Sequence, residues 1–222
     1  MIIETKEIKQ ITKTPFIVID GVNGAGKSSI IKDLSKKLDS LKIKNFTTRE
    51  PGGGAPIGMP IRELIFKNTG KELSSTAEVF LFCADRAQHI EKVITPKLKN
   101  NELVICDRFY YSTLAFQGFG RGIDLDLIYN LTKVAVKDTY PDIVILLDLD
   151  AETGLLRNKK DTNETEVDGF ELEKKDFHNK LRTGFLEIAN KVKEKVVKID
   201  ASREYDKVYD DCEKAVLKLL GL

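Results

Sequence analysis

One short stretch limits the fold more than any other. Gly21, Val22, Asn23, Gly24, Ala25, Gly26, Lys27 and Ser28 spell G-x-x-x-x-G-K-[ST], with Ser29 directly behind. An apolar run at residues 16–20, bounded by Pro15 and Gly21, precedes it. Helical spacing at Ile30, Ile31, Leu34, Leu38 and Leu41 follows. Strand, glycine turn and helix in that order form a Walker A phosphate loop. The glycines let backbone N–H groups turn toward phosphates, the helix N-terminus adds partial positive charge, and Lys27 adds a full one. Ser28 offers a hydroxyl to Mg²⁺, so the loop implies a nucleotide, with ATP as the expected ligand and Mg²⁺ as its metal.

The rest of the chain repeats the alternation. Apolar or β-rich runs at residues 45–49, 103–107, 143–148 and 195–199 alternate with helical patterns at 61–67, 75–94, 124–136, 151–158, 170–193 and 205–220. The 75–94 pattern is interrupted near Pro96, and residues 51–60 form a Gly/Pro-rich loop. Such alternation predicts an α/β P-loop NTPase fold, a five-stranded parallel sheet with helices on both faces. Residues 1–14 are a polar extension; residues 15–222 form a single domain with a short lid at about 157–171. Ligands in such sheets gather at the carboxyl ends of the strands. That edge collects the phosphate loop, the turn at residues 49–54 and Asp107–Arg108.

Composition excludes several classes. With 36 basic and 35 acidic residues the net charge is +1, without the basic excess of a nucleic-acid binder. No apolar run approaches the ~20 residues of a membrane span. The three cysteines, Cys83, Cys106 and Cys212, are dispersed and read as reduced thiols of a cytoplasmic protein. Asn158-Lys-Lys-Asp161 spells the guanine-reading N-x-x-D pattern, but it follows a helix instead of a buried strand. A GTP-binding switch is therefore the lesser alternative.

From residue 16 onward the chain resembles the thymidylate kinase family. The matching stretches are the phosphate loop, Thr48-Arg-Glu-Pro-Gly-Gly53 and Glu78-Val-Phe-Leu-Phe-Cys-Ala-Asp-Arg86. Asp107-Arg108, Ser112-Thr-Leu-Ala-Phe-Gln-Gly118, Gly120-Arg-Gly-Ile-Asp124 and the segment at 177–185 follow in order. The resemblance implies ATP-dependent phosphorylation of dTMP to dTDP with Mg²⁺, in a cytoplasmic homodimer. A related monophosphate or deoxynucleoside kinase with another base preference is the nearest alternative. The residue types suit this chemistry. A phosphate acceptor is already largely ionised at pH 7 and needs no general base. Two anions must be held in line and their charge neutralised, which arginine forks do well.

By the same resemblance, Arg49 and Arg108 hold the acceptor phosphate, and Asp107 anchors Mg²⁺ or orients Arg108. Glu50 holds its loop or reaches the metal shell. Phe82 stacks on thymine, although on residues alone it reads as core. Arg86, Thr113 and Gln117 read the base edges, Pro51 lies near the methyl group, and Phe116 disfavours a 2′-hydroxyl. Asn23 stands where an acid usually reaches the sugar 3′-hydroxyl. Asp85 either tethers Arg86 or weakens its grip. Asp148 and Asp150 read as structural, and His89 and His178 as surface or packing residues. The family's lid arginine is missing, the pair reading Asp168-Gly169. Arg157, Lys159 and Lys160 remain as lid cations, with Arg157 favoured as catalytic. Glu50–Pro51 before two glycines is expected to be a cis peptide.

Overall fold

The computed structural model describes residues 3–4, 14–161, 170 and 175–222. In chain order the strands are β1 (Ile3–Glu4), β2 (Phe16–Gly21), β3 (Asn45–Arg49), β4 (Leu103–Asp107), β5 (Ile143–Asp148) and β6 (Lys195–Asp200). The α-helices are α1 (Lys27–Ser40), α2 (Gly58–Asn68), α3 (Ser75–His89), α4 (Thr95–Lys99), α5 (Tyr110–Thr113), α6 (Leu125–Val136), α7 (Ala151–Asp161), α8 (Lys175–Lys191) and α9 (Tyr205–Leu220).

The sheet order is β1-β6-β5-β2-β4-β3, with β2 to β6 parallel, as the alternation predicts. The extension adds one element absent from that reading: β1 pairs antiparallel with β6, Ile3 opposite Lys198. β2 is buried at all six positions and β5 at the first five, as strands covered on both faces must be. Edge strand β3 is only partly buried, and its sequence is correspondingly mixed.

Two helical segments depart from expectation. The run from Ser75 does not break near Pro96; α3 passes through a wider π-helical stretch, Ile90–Ile94, straight into α4. Pro96 falls in the first turn of α4, directly after the π-helical stretch. A second π-helical stretch, Leu114–Gly120, extends α5 and carries Phe116 and Gln117. Three shorter differences concern boundaries. α2 begins at Gly58 and takes Pro60 into its first turn, α7 runs on to Asp161, and α8 begins at Lys175 rather than at residue 170. The Asn158–Asp161 pattern lies inside α7 and does not directly follow a strand, which agrees with setting the GTP switch aside.

Register brings the functional turns together. Asp107 at the end of β4 lies opposite both Ile19 of β2 and Arg49 of β3. Just beyond, Glu50 N–H donates to Asp107 O at 2.9 Å and Arg108 N–H to Ile19 O at 2.9 Å. Three turns distant in sequence thus share one sheet edge.

Candidate active site

The phosphate loop closes tightly on its surroundings. Gly24 has φ +73°, and a Cβ there would meet the Gly154 carbonyl at 2.1 Å, so only glycine fits. Lys27 is buried, its Nζ donating to the carbonyls of Val22 at 2.8 Å and Gly21 at 3.2 Å. Burial, reinforced by Arg108, pushes this lysine down to about 7. An arriving phosphate would reverse that pressure, since an opposite charge favours the ammonium form.

Across the cleft, Ser28 Oγ donates to Asp107 Oδ2 at 3.1 Å, while Asp107 Oδ1 is buried without a partner. Asp107 makes no hydrogen bond to the Arg108 side chain among the described residues. Arg108 sits at φ +66°, a conformation costly for a side chain with a Cβ and concentrated at functional sites. Its Nη1 donates to Gly21 O and Ser112 Oγ, each at 2.8 Å, and Nη2 donates to Asn23 Oδ1. Beneath it, Asp20 is fully buried and accepts from Ser112 Oγ at 2.7 Å and the Phe109 N–H at 3.2 Å. Burial raises the Asp20 carboxyl, against the opposing pull of Arg108. Arg49 is exposed, lines the same cleft and has no ion pair among the described residues.

Beside the cleft lies a second, narrow cavity, apolar for the most part. Phe66, Phe82, Phe116, Phe170 and Pro51 supply its ring-lined walls. Arg86 projects from α3, fully buried, its Nε donating to Glu50 Oε2 at 2.8 Å and its Nη2 to Thr113 Oγ1 at 3.0 Å. Arg86 Nη1 is buried with no partner. Gln117 donates through Nε2 to Glu78 Oε1 at 2.8 Å, and its Oε1 is likewise buried without a partner. One donor and one acceptor are therefore left unmet on residues that line an aromatic slot beside a phosphate cleft, which is costly until a ligand meets them.

A family model described as thymidylate kinase matches residues 19–212. The chain belongs to the thymidylate kinase family. A thymidylate kinase of Clostridium novyi is 37% identical over 199 residues, 90% of this chain and 96% of that one. Another, of Pelotomaculum thermopropionicum, is 38% identical over 94% of this chain and 95% of its own length. The crystal structure of thymidylate kinase from Ehrlichia chaffeensis superposes with a TM-score of 0.72 at 32% identity, covering 91% of this chain and 98% of that one.

Against the pattern expected of a thymidylate kinase, most named residues converge. Asn23, Pro51, Phe82, Arg86, Arg108, Thr113, Phe116 and Gln117 line the slot, and Lys27, Ser28, Ser29, Arg49 and Asp107 line the cleft. Asn23, Pro51 and Arg108 belong to both. The Glu50–Pro51 bond is cis, as expected, and Ala55–Pro56 is cis as well.

Arg157 is not where expected. Its guanidinium donates to Ala201 O at 2.7 Å and Ser202 O at 3.3 Å, on the outer side of the phosphate loop. There it lines a different pocket, with Gly24, Gly26, Ala201, Glu204 and Tyr205. The physical reason is local: β6 ends in a turn whose free carbonyls lie within reach of the end of α7. The side chains of Lys159 and Lys160, and residues Asp168 and Gly169, lie outside the described residues.

Three further expectations narrow. Glu50 is buried with both oxygens engaged, Oε2 by Arg86 and Oε1 by His89 Nδ1 at 3.0 Å, so it does not reach a metal shell. Of the two readings of His89, surface or packing, the packing one holds: it is fully buried and links Glu50 to Thr48 Oγ1 at 2.8 Å. Asp85 makes no hydrogen bond to Arg86; its Oδ2 accepts the Gly52 N–H at 3.0 Å, pinning the glycine turn. Burial first, and the Glu50 charge second, push Asp85 up to about 6. Asp148 pairs bidentately with Arg182 at 2.8 and 3.1 Å, and Asp150 caps α7, both structural as read. Cys83, Cys106 and Cys212 are free and buried. Sequence reasoning missed Phe66 and Phe170 as slot walls. Phe66 hid inside a helical pattern and Phe170 followed a polar stretch.

Proposed function

We propose that the chain transfers the γ-phosphoryl group of ATP to dTMP, giving dTDP, with the base chosen in the aromatic slot. The observation that carries this reading is the unmet pair in that slot, Arg86 Nη1 as donor and Gln117 Oε1 as acceptor. Thymine offers an adjacent O4 acceptor and N3–H donor. With O4 toward Arg86, N3–H meets Gln117. Cytosine in the same seat sets its amino group against the guanidinium and its bare N3 against a carbonyl, leaving buried groups unpaired. Phe82 supplies a stacking face, Pro51 a surface for the methyl group, and Phe116 crowds the sugar's 2′ position.

The phosphates extend from the slot into the cleft. Arg108, fixed by Gly21, Ser112 and Asn23, presents its remaining charge to the acceptor phosphate, and Arg49 approaches from β3. Asn23 serves by aiming Arg108, because its carbonyl oxygen is taken by that guanidinium. Lys27 and the loop N–H groups at residues 21–29 hold the donor phosphates. No side chain is needed as a base, since the attacking oxygen is already anionic. What accelerates the transfer is in-line positioning and charge neutralisation. Arg157 belongs to the far side of the loop, where its planar guanidinium and Tyr205 flank a pocket suited to the adenine ring.

Mg²⁺ fits the donor set. Among the described residues no cluster of three or more His, Cys, Asp or Glu forms a metal cage. Ser28 and the unpartnered Asp107 Oδ1 match the sparse protein contribution typical of a Mg²⁺–nucleotide site. Bound there, the ion would neutralise phosphate charge and orient the two substrates.

A homodimer is supported by the outer face of α2, α3 and α6, which leaves Leu64, Phe80, Leu127 and Val134 exposed at 49%, 53%, 41% and 75%. No helix among the described residues is long and apolar enough to cross a membrane. A cytoplasmic location completes the reading; most of the lid expected at about 157–171 lies outside the described residues. A coupled assay with ATP across dTMP, dUMP, dCMP, dGMP and dAMP tests it. dTMP should lead, and equal kcat/KM for dCMP would refute the base assignment.

A further inference from the structure

Glu78 does not itself line the slot, yet it is a carboxylate only 1% exposed. It lies behind the slot and reaches it only through Gln117. Its Oε2 accepts from Thr69 Oγ1 at 2.9 Å, and Arg121 Nε approaches Oε1 at 3.6 Å. We propose that Glu78 is a positioning residue for base selection: it locks the Gln117 amide with the carbonyl, not the NH₂ group, toward the base. The inference rests on the dTMP reading above.

A glutamine amide has nearly the same shape in its two flipped orientations, and only its partners decide between them. An ionised carboxylate accepts hydrogen bonds and cannot donate. Facing Glu78, Gln117 must therefore offer Nε2, which sends Oε1 to the other side. That matches the structure, where Gln117 Oε1 is the atom left buried and unpaired. The lock is itself held, because Thr69 at the end of α2 and Arg121 after the π-helical stretch fix both carboxylate oxygens. Arg121 is further seated over the rings of Phe177 at 5.2 Å and Phe170 at 5.5 Å. If the amide were free to turn, its NH₂ would meet thymine N3–H, donor against donor, while cytosine N3 would gain a partner. Selectivity, more than rate, should then suffer.

The test is the ratio of kcat/KM for dTMP to that for dCMP. Glu78→Leu removes the acceptor at nearly constant volume, so the lock is lost. The ratio should fall at least threefold, through a loss on dTMP not matched on dCMP. In the double variant Glu78→Gln with Gln117→Glu, the new carboxylate accepts from Gln at position 78 and still presents an acceptor to the base. That variant should return the ratio to within threefold of wild type. A purely structural role lowers both substrates together, so a single-variant ratio changed by less than threefold overturns the proposal. A double variant retaining less than a third of the wild-type ratio also overturns it, and decides the matter alone should the single variant fold poorly. A wild-type enzyme with no dTMP preference would instead sink the base assignment itself, and this inference with it.

Discussion

The nucleoside slot and the phosphate cleft lie side by side yet are finished to different degrees. In the slot, Arg86 is clamped by Glu50 and Thr113, Glu50 by His89, and Gln117 by Glu78, nearly all fully buried. Among the described side chains that line the slot, Arg86 Nη1 and Gln117 Oε1 are left buried without a partner. In the cleft, Arg49 is solvent-exposed, Asp107 has an unmatched oxygen, and Lys27 is held by carbonyls in an environment that lowers its charge. The slot is organised before the substrate arrives, whereas the cleft acquires its balance of charge from the ligand. Selectivity and rate should therefore separate by region, and substitutions in one should leave the other's signature intact.

The largest effect should come from the cleft. Lys27→Ala removes the cation nearest the transferring group, and kcat should drop about 10³-fold with the thermal midpoint unchanged or raised. Near-normal turnover in a folded variant would break the assignment. Arg49→Ala comes next. An exposed, unpaired arginine contributes little to stability, so kcat/KM for dTMP should fall about 10²-fold while unfolding in urea stays the same. A large stability loss without an effect on dTMP kinetics would place Arg49 in the scaffold.

Arg157 sharpens the comparison, because it sits outside both regions. Arg157→Ala should raise KM for ATP roughly five- to tenfold and leave KM for dTMP unchanged, as expected for a contact worth about 1 kcal/mol. A fall in kcat at unchanged ATP affinity would return it to the lid role that the sequence suggested.

Behind the slot, Asp85 gives a pH signature. Its carboxyl is raised to about 6 by burial, so the folded state binds more protons than the unfolded state between its ordinary value and 6. Its favourable contribution is complete below the ordinary range and is lost as pH rises through 6. Above that, ionised Asp85 weighs against the fold. Asp85→Asn should thus stabilise the protein by about 1–2 kcal/mol at pH 8 in urea unfolding, and the gain should shrink steadily toward pH 4. A gain independent of pH, or a loss at pH 8, would contradict the burial argument.

How much of this was legible beforehand follows the same division. The cleft could be read because its parts are local: Gly21–Ser28 is one motif in a strand-to-helix context, and Asp107–Arg108 ends a run of apolar residues. The sheet followed from periodicity. The slot's aromatic and polar residues could be named only through family resemblance, since Phe82 by its spacing reads as core. Their supports were not legible at all. Glu50 meets Arg86 and His89 across 36 and 39 residues, and Gln117 meets Glu78 across 39, with no periodic mark of either pairing. The place of Arg157 was not legible for a related reason, because the carbonyls that hold it belong to a turn 44 residues away.

The separation itself is most directly tested by measuring kcat/KM for dTMP and dCMP in both wild type and Lys27→Ala. If selection resides in the prebuilt slot and rate in the cleft, dTMP should be favoured about 100-fold or more in both proteins, although Lys27→Ala is slower on each substrate by the same large factor. A ratio that collapses in Lys27→Ala, or that is near one in the wild type, would contradict it.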